Sequence, residues 1–328
     1  MSIIENPSQT EGPKPRTITS ESRFSDRVFR VVVSSGGFIS LVVLGLISLF
    51  LLYEGLSIFR SEGLGFVTSF EWIAESIENG TEASYGIGAM LYGTLVTGFI
   101  GLFFGFPLAL GAALFLSYYA PEWMKKPMVL VVDVMAAIPS LVFGLWGYYV
   151  LMPQAEEWAK LINKYFGFIP IFSMPGDYFT RSPFIAGLVL AIMIIPIITS
   201  ISREVFAQTP LDRIQAAYAL GATRWSMIRA VVIPYGKGGV IGGAMLGLGR
   251  AIGETVAVYT VLNLVYDIRP EILLSAGGSV ASLIVTKFGE ATAPELKALM
   301  AAGFVLFVVT LAVNFLANLI INRTVRKG

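Results

Sequence analysis

The chain has 328 residues, of which 55% are hydrophobic and 14% charged, with mean hydropathy +0.74 and net charge +1. Soluble domains run about 45–50% apolar and about 25% charged, so the composition is that of a membrane protein with no bulk charge to attract nucleic acid. It has no cysteine and no histidine. Disulfides, thiolate metal sites, thiol catalysis and the usual proton shuttle are thereby removed, which disfavours an enzyme.

Residues 1–27 read as a disordered cytoplasmic tail, because the stretch 1–25 is polar and rich in Ser, Thr and Pro. The apolar run Val31–Phe59 far exceeds the roughly 7–15 residues of a signal-peptide core, so it reads as a retained first transmembrane helix. Taking about 20 apolar residues per span, residues 28–328 predict an all-α membrane domain of six helices, at about 29–58, 88–118, 128–152, 184–204, 238–265 and 298–321.

Basic residues orient the bundle. Lys14, Arg16, Arg23, Arg27 and Arg30 precede the first span, and Lys125 and Lys126 lie in the second connection. Arg203, Arg213, Arg224, Arg229 and Lys237 flank the fourth, and Arg323, Arg326 and Lys327 end the chain. Residues 61–85 instead hold five glutamates and no Lys or Arg. Both termini are therefore expected in the cytoplasm.

Asp133, in the third span, reads as an interfacial or helix-packing group. The outer loop 153–182 contains QAEEWAKLINKYFG, a helix with Glu156 and Lys160 at i,i+4. Trp158, Tyr165, Phe166 and Phe168 suit a helix lying at the membrane surface, and contact with an external partner is the alternative.

The fourth connection, residues 205–237, is unusually organised. Thr209, Pro210 and Asp212 form a helix start, with an N-cap, a proline at N1 and an acid in the first turn. Gly221 closes this helix as a C′ glycine, Thr223 opens a second, and Pro234 is expected to stop it. A DNA-binding helix-turn-helix has this outline, but a hairpin held between two spans cannot reach a major groove, so no nucleic-acid partner is expected.

The stretch QAAYALGATRWSMIRAVVIP resembles the EAA loop of ABC-importer permeases, with Ala216, Ala217, Gly221 and Pro234 at the family spacing and Gln215 where glutamate is usual. The resemblance implies that the helix starting at Leu211 docks on a separate ATPase, with Leu211, Gln215, Ala216, Ala217, Gly221 and Pro234 as the coupling set. It also implies that ATP and Mg are bound by that ATPase and no cofactor by this chain. No G-x-x-x-x-G-K-[ST] occurs in the sequence.

The fifth span contains GGAMLGLGRAIGETVAV, residues 242–258. Gly239, Gly243 and Gly247 recur every four residues, the small-xxx-small spacing that lets helices approach closely. Arg250 lies deep in the span, where a lone charge costs at least about 2.5–3.5 kcal/mol. Glu254 follows four residues later, so on one continuous helix both share a face. Two readings stay open: a structural salt bridge, or a substrate-pathway site in which Glu254 holds Arg250 until an anion competes for it.

YGTLVTGFIGLFFGFPLALGAALFLS, MAAIPSLVFGLWG and LGLGRAIGETVAV resemble the PstC-type permeases of phosphate ABC importers, over most of residues 85–265. That resemblance implies the six-helix fold of type I importers and phosphate passage at Arg250 and Glu254. It further implies a homologous second permease (PstA type), an ATPase dimer (PstB type) and an extracytoplasmic phosphate-binding protein (PstS type). The site would be the bacterial or archaeal cytoplasmic membrane. Another oxyanion such as sulfate or molybdate is the nearest alternative. An ion-coupled secondary carrier is the rival from another class, and no internal repeat favours it.

Overall fold

The computed structural model describes residues 24–73, 83–174, 176 and 178–325. Two compact units divide the chain, residues 1–49 and 50–328. Among described residues the first unit holds only the leading part of α1 (Phe24–Ser61), and its apolar side chains, such as Phe29 and Leu41, are exposed. Most of the expected tail, residues 1–23, lies outside the described residues; its last residues, from Phe24, are already helical.

The second unit is helical apart from one short hairpin. After α1 comes the four-residue α2 (Gly65–Thr68). β1 (Trp72–Ile73) then pairs antiparallel with β2 (Ser84–Tyr85), Trp72 opposite Tyr85. α3 (Gly88–Leu114) runs on as a π-helical turn to Tyr119, and α4 (Glu122–Ala137) follows. α5 (Ser140–Trp146) passes through a π-helical turn into α6 (Met152–Phe166). α7 (Pro183–Ala207) and α8 (Leu211–Ala219) come next. α9 (Arg224–Met227) and α10 (Ile233–Ile252) are joined by another π-helical turn. α11 (Val256–Val261), α12 (Val280–Phe288) and α13 (Ala293–Val325) complete the chain. Among the described residues five helices are long and apolar enough to span a membrane, or six if the bent pair α4 and α5–α6 counts as one span.

That bent pair corrects one expectation. The third span is not one rod over 128–152: it breaks at Ile138–Pro139 with a bend of 95°. The proline ring excludes Ile138 from helical angles, and Ile138 accordingly sits at φ −64°, ψ 130°. The helix anticipated within residues 153–182 is present as α6, with Lys160 Nζ 3.3 Å from Glu156 and 2.8 Å from Glu157. Those two carboxylates, Glu157 foremost, raise the Lys160 pKa.

α7 is the centre of the bundle. Its residues Ile185, Leu190, Ile194 and Ile198 are completely buried. α3 packs against it through glycine: a Cβ at Gly101 would meet Leu190 at 3.0 Å, and one at Gly105 would meet Ile194 at 3.0 Å. The glycine stripe of α10 runs the other way along α7. Gly239 faces Val205, and an added Cβ would meet Ile201 at 3.1 Å from Gly243 and Ile198 at 2.8 Å from Gly247. The paired numbers climb on one helix as they fall on the other, so the two helices are antiparallel. Close packing, as the spacing implied, is what these glycines provide.

Candidate functional site

Two features of the second unit carry the chemistry: the hairpin after α7, and the break after α10.

The hairpin begins at Leu211, one residue later than the capping pattern suggests. Pro210 occupies the cap position and offers no side-chain hydrogen bond, while Thr209 is buried. Gly221 ends α8 as expected. Its φ is +83°, its N–H reaches Tyr218 O at 2.9 Å, and the Ala222 N–H reaches Ala217 O at 3.1 Å. These are the two bonds of a Schellman motif, which needs a left-handed residue and therefore favours glycine. Thr223 then caps α9, accepting the Ser226 N–H at 3.3 Å.

Pro234 does not stop the second helix. The chain is helical from Arg224 to Ile252, a run of 29 residues. A proline inside an α-helix leaves one carbonyl without its donor and crowds it with the ring. Here the preceding residues Ile228–Val232 widen into a π-helical turn, and the Ile233 N–H reaches back to Ile228 O. The re-registered backbone accommodates the ring, and the rod continues.

The residues expected to couple to an ATPase therefore occupy different positions. Leu211, Gln215 and Ala216 are exposed on α8, together with Tyr218. Ala217 and Ile214 turn inward, against a cluster made by Ala113, Phe206, Met227, Ile228 and Val232. Gly221 makes the turn, and Pro234 lies well up the following helix. The hairpin is anchored on one side and open on the other, with Leu211 65% and Leu220 90% exposed. Covering one such leucine is worth about 1.5–3 kcal/mol, so this surface can hold a partner.

The second feature corrects the fifth span. The helix expected over 238–265 ends at Ile252, and residues Gly253–Thr255 separate it from α11. Arg250 sits in the last turn of α10 and Glu254 in the break, so the two do not share a helix face. No ion pair within 4 Å joins them. Glu254 is nearly buried, at 9% exposure, and its Oε1 accepts the Ala257 N–H at 3.3 Å.

Each charge instead has a helix end. Arg250 lies by the carbonyl end of α10, where the backbone dipoles sum to partial negative charge. Glu254 lies at the amide end of α11, where they sum to partial positive charge. Such an effect is worth about 0.3–1 kcal/mol per group, and more when partly buried. A broken span thus keeps two charges in an apolar bundle without pairing them.

Arg250 is exposed on the face of α10 turned from α7, in register with Tyr235, Gly242, Leu246 and Gly253. Counting helical turns back from Arg250 finds these residues in the sequence. A Cβ at Gly242 would meet nothing within 4 Å, so this face is bare. On the side of α13, Asn314 lies 3.3 Å from where a Gly249 Cβ would sit. Asp133, on α4, accepts a hydrogen bond from Ser200 Oγ at 3.2 Å and so ties α4 to α7.

Residues 101–327 match the family described as binding-protein-dependent transport system inner membrane component. The phosphate transport system permease protein PstC 2 of Mycobacterium bovis is 39% identical over 91% of this chain and 92% of its own. The PstC protein of Xylella fastidiosa is 37% identical over 98% and 97%, and that of Pasteurella multocida 40% over 82% and 83%. The chain belongs to the PstC family of ABC-importer permeases. Its relatives are transport permeases, and the protein is a multi-pass inner-membrane component of a transporter complex.

The fold agrees with that membership. A bacterial alginate ABC transporter chain superposes with TM-score 0.57 at 16% identity, covering 93% of this chain and 99% of its own. A chain of the inward-facing MetNI methionine ABC transporter gives 0.52 at 16% identity, over 72% and 94%. This PstC-family permease is therefore an all-α protein with the type I importer architecture.

Proposed function

We propose that the chain is one permease of an ATP-driven importer of inorganic phosphate and forms half of the translocation pathway. The observation that carries this reading is Arg250, a cation left uncovered on a bare face of an apolar helix, in a chain 37–40% identical to named phosphate permeases. A guanidinium presents forked donors that match a tetrahedral oxyanion, and its charge is costly against lipid. Facing a second, PstA-type permease across the pathway satisfies both demands.

On this reading a PstB-type ATPase pair receives α8 and its exposed Leu211, Gln215 and Ala216 on the cytoplasmic side. ATP and Mg belong to that pair, and this chain breaks no covalent bond. A PstS-type binding protein delivers phosphate from outside, and both termini are cytoplasmic, as the basic residues indicate. ATP binding closes the ATPases and moves α8, the two permeases rock, and Arg250 meets the anion as it passes. Glu254 caps α11 and positions the break rather than competing for Arg250.

Co-reconstitution with these partners, followed by ATP-dependent uptake of labelled phosphate and sulfate, tests the reading. Phosphate uptake that needs ATP is the expected result. Uptake without ATP overturns the importer, and a preference for sulfate or molybdate overturns the substrate.

A further inference from the structure

A cavity of about 470 Å³ opens at the far end of α7 from α8, and Arg181, Tyr148, Tyr149, Tyr259, Thr260 and Asn263 contribute to its lining. Arg181 is the cation of this cavity, and among the described residues no Asp or Glu lines it. Its guanidinium lies over the Tyr148 ring, 5.2 Å from the centroid, and one N–H is shared with Asn263 Oδ1 at 3.5 Å. Asn263 Nδ2 donates to Ser275 Oγ at 3.0 Å, which fixes the amide so that its oxygen faces Arg181. Among the described residues no carboxylate lies within ion-pair distance of Arg181. Among the described residues, Asn263 and the Tyr148 ring are its partners.

The backbone bends to put it there. Arg181 has φ +48°, the one positive φ outside glycine among the described residues. For a non-glycine residue that conformation costs about 1–2 kcal/mol, and such strain persists only where surrounding structure over-determines it. Ser182, fully buried, caps the Ile185 N–H at 3.4 Å, Pro183 has no N–H, and the Phe184 N–H goes to Ile272 O at 3.0 Å. The donors at the start of α7 are thus occupied, and the positive charge offered to the cavity is that of the guanidinium.

We infer that this cavity is a second oxyanion subsite, separate from Arg250, and that it takes a phosphate group on the Arg181 fork. A planar guanidinium stacked on an aromatic ring is pre-organised for bidentate contact with phosphate oxygens, and the tyrosines beside it add phenolic donors. Tyr259 and Thr260 lie on α11, directly after the break that holds Glu254. Arg250 and the Arg181 cavity therefore sit toward opposite ends of this six-residue helix, about 9 Å long. Inorganic phosphate and the phosphate of an anionic lipid headgroup share the required chemistry.

The test uses the assembled transporter in nanodiscs, without nucleotide or binding protein, so it is readable whether or not phosphate import is upheld. Inorganic phosphate is titrated calorimetrically in zwitterionic lipid, and retained phosphatidylglycerol is counted by native mass spectrometry in mixed lipid. Arg181→Gln is expected to weaken one of the two by about tenfold or more, while Arg181→Lys, which keeps the charge, weakens it less. Loss of phosphate binding identifies the free anion, and loss of phosphatidylglycerol identifies the headgroup. Thermal unfolding without ligand runs alongside. If Arg181→Gln lowers the melting temperature but leaves both titrations unchanged, Arg181 is a latch between α7 and Asn263 and the inference fails.

Discussion

Glu254 Oε1 accepts the Ala257 N–H at 3.3 Å, and this bond, not one to Arg250, is what holds the carboxylate. Glu254→Gln keeps an acceptor oxygen at the same place. It is expected to cost less than about 1 kcal/mol of stability and to leave assembly intact. Glu254→Ala removes the cap and is expected to cost about 0.5–2 kcal/mol. Thermal unfolding of the assembled complex measures both.

Because Arg250 and Glu254 are not paired, their substitutions are expected to act on stability nearly additively. A double-mutant cycle of Arg250→Gln with Glu254→Gln should show a coupling under about 0.5 kcal/mol. Transport is the contrasting readout: Arg250→Gln alone should abolish uptake while the complex still assembles. A coupling well above that bound restores the salt-bridge reading.

Gly247 and Gly242 lie on the same helix but on faces with opposite demands. A methyl at Gly247 lands 2.8 Å from Ile198 Cδ1, so Gly247→Ala overpacks the α7 contact and should destabilise by about 1–3 kcal/mol. Gly242→Ala meets nothing within 4 Å among the described residues. It should leave the stability of the isolated permease unchanged, and any defect it causes should appear only when the partner permease is present.

The Gly221 turn makes a separate prediction at the docking end. At φ +83°, alanine costs about 1–2 kcal/mol, confined to a turn that is otherwise open. Gly221→Ala should therefore leave membrane insertion intact while weakening ATPase attachment. Co-purification of the ATPase measures this, with Leu211→Asp as a variant that spoils the exposed surface without touching the turn.

Tyr266, in the segment between α11 and α12, supplies a pH signature. Burial, aided by the negative charge of Glu295, pushes its phenol up to about 12, and among the described residues its hydroxyl has no hydrogen-bond partner. The unfolded phenol titrates near 10, so between about pH 10 and 12 the unfolded state loses its proton first. Stability from this group is thus complete below about pH 10 and declines as pH rises toward 12. Tyr266→Phe should remove that decline and be neutral or slightly stabilising at neutral pH, since it deletes an orphaned hydroxyl. Denaturation at a series of alkaline pH values tests this.

The long apolar runs, the Gly239–Gly243–Gly247 stripe and the C′ role of Gly221 were all legible in the sequence. Each depends on local spacing or on one backbone requirement. The breaks were harder. Ile138–Pro139 could be read from the proline's effect on its neighbour, but the apolar composition on both sides disguised it as one span. The break at Gly253–Thr255 carried no proline at all. Its one glycine, Gly253, looks the same as those that pack, and only the separation of Arg250 from Glu254 tells it apart. Pro234 misled in the opposite sense, because a π-helical turn let the helix pass through it. Arg181 stood before Ser-Pro and an apolar run, a legible helix start, but the cavity it faces is assembled from α5, the π-helical turn after it, α11 and α12, and no local pattern encodes that.

The unbroken helix from Arg224 to Ile252 also has a mechanical meaning. At 29 residues it is roughly 43 Å long, with the α8 turn at one end and Arg250 near the other. It is long enough to cross a bilayer, and on the proposed mechanism a tilt imposed on the hairpin would carry along this rod to Arg250 without any relay of side chains. Along this rod the α-helical ladder changes register at the π-helical turn before Pro234. On that mechanism, how much of a push at α8 reaches Arg250 depends on the stiffness of that turn.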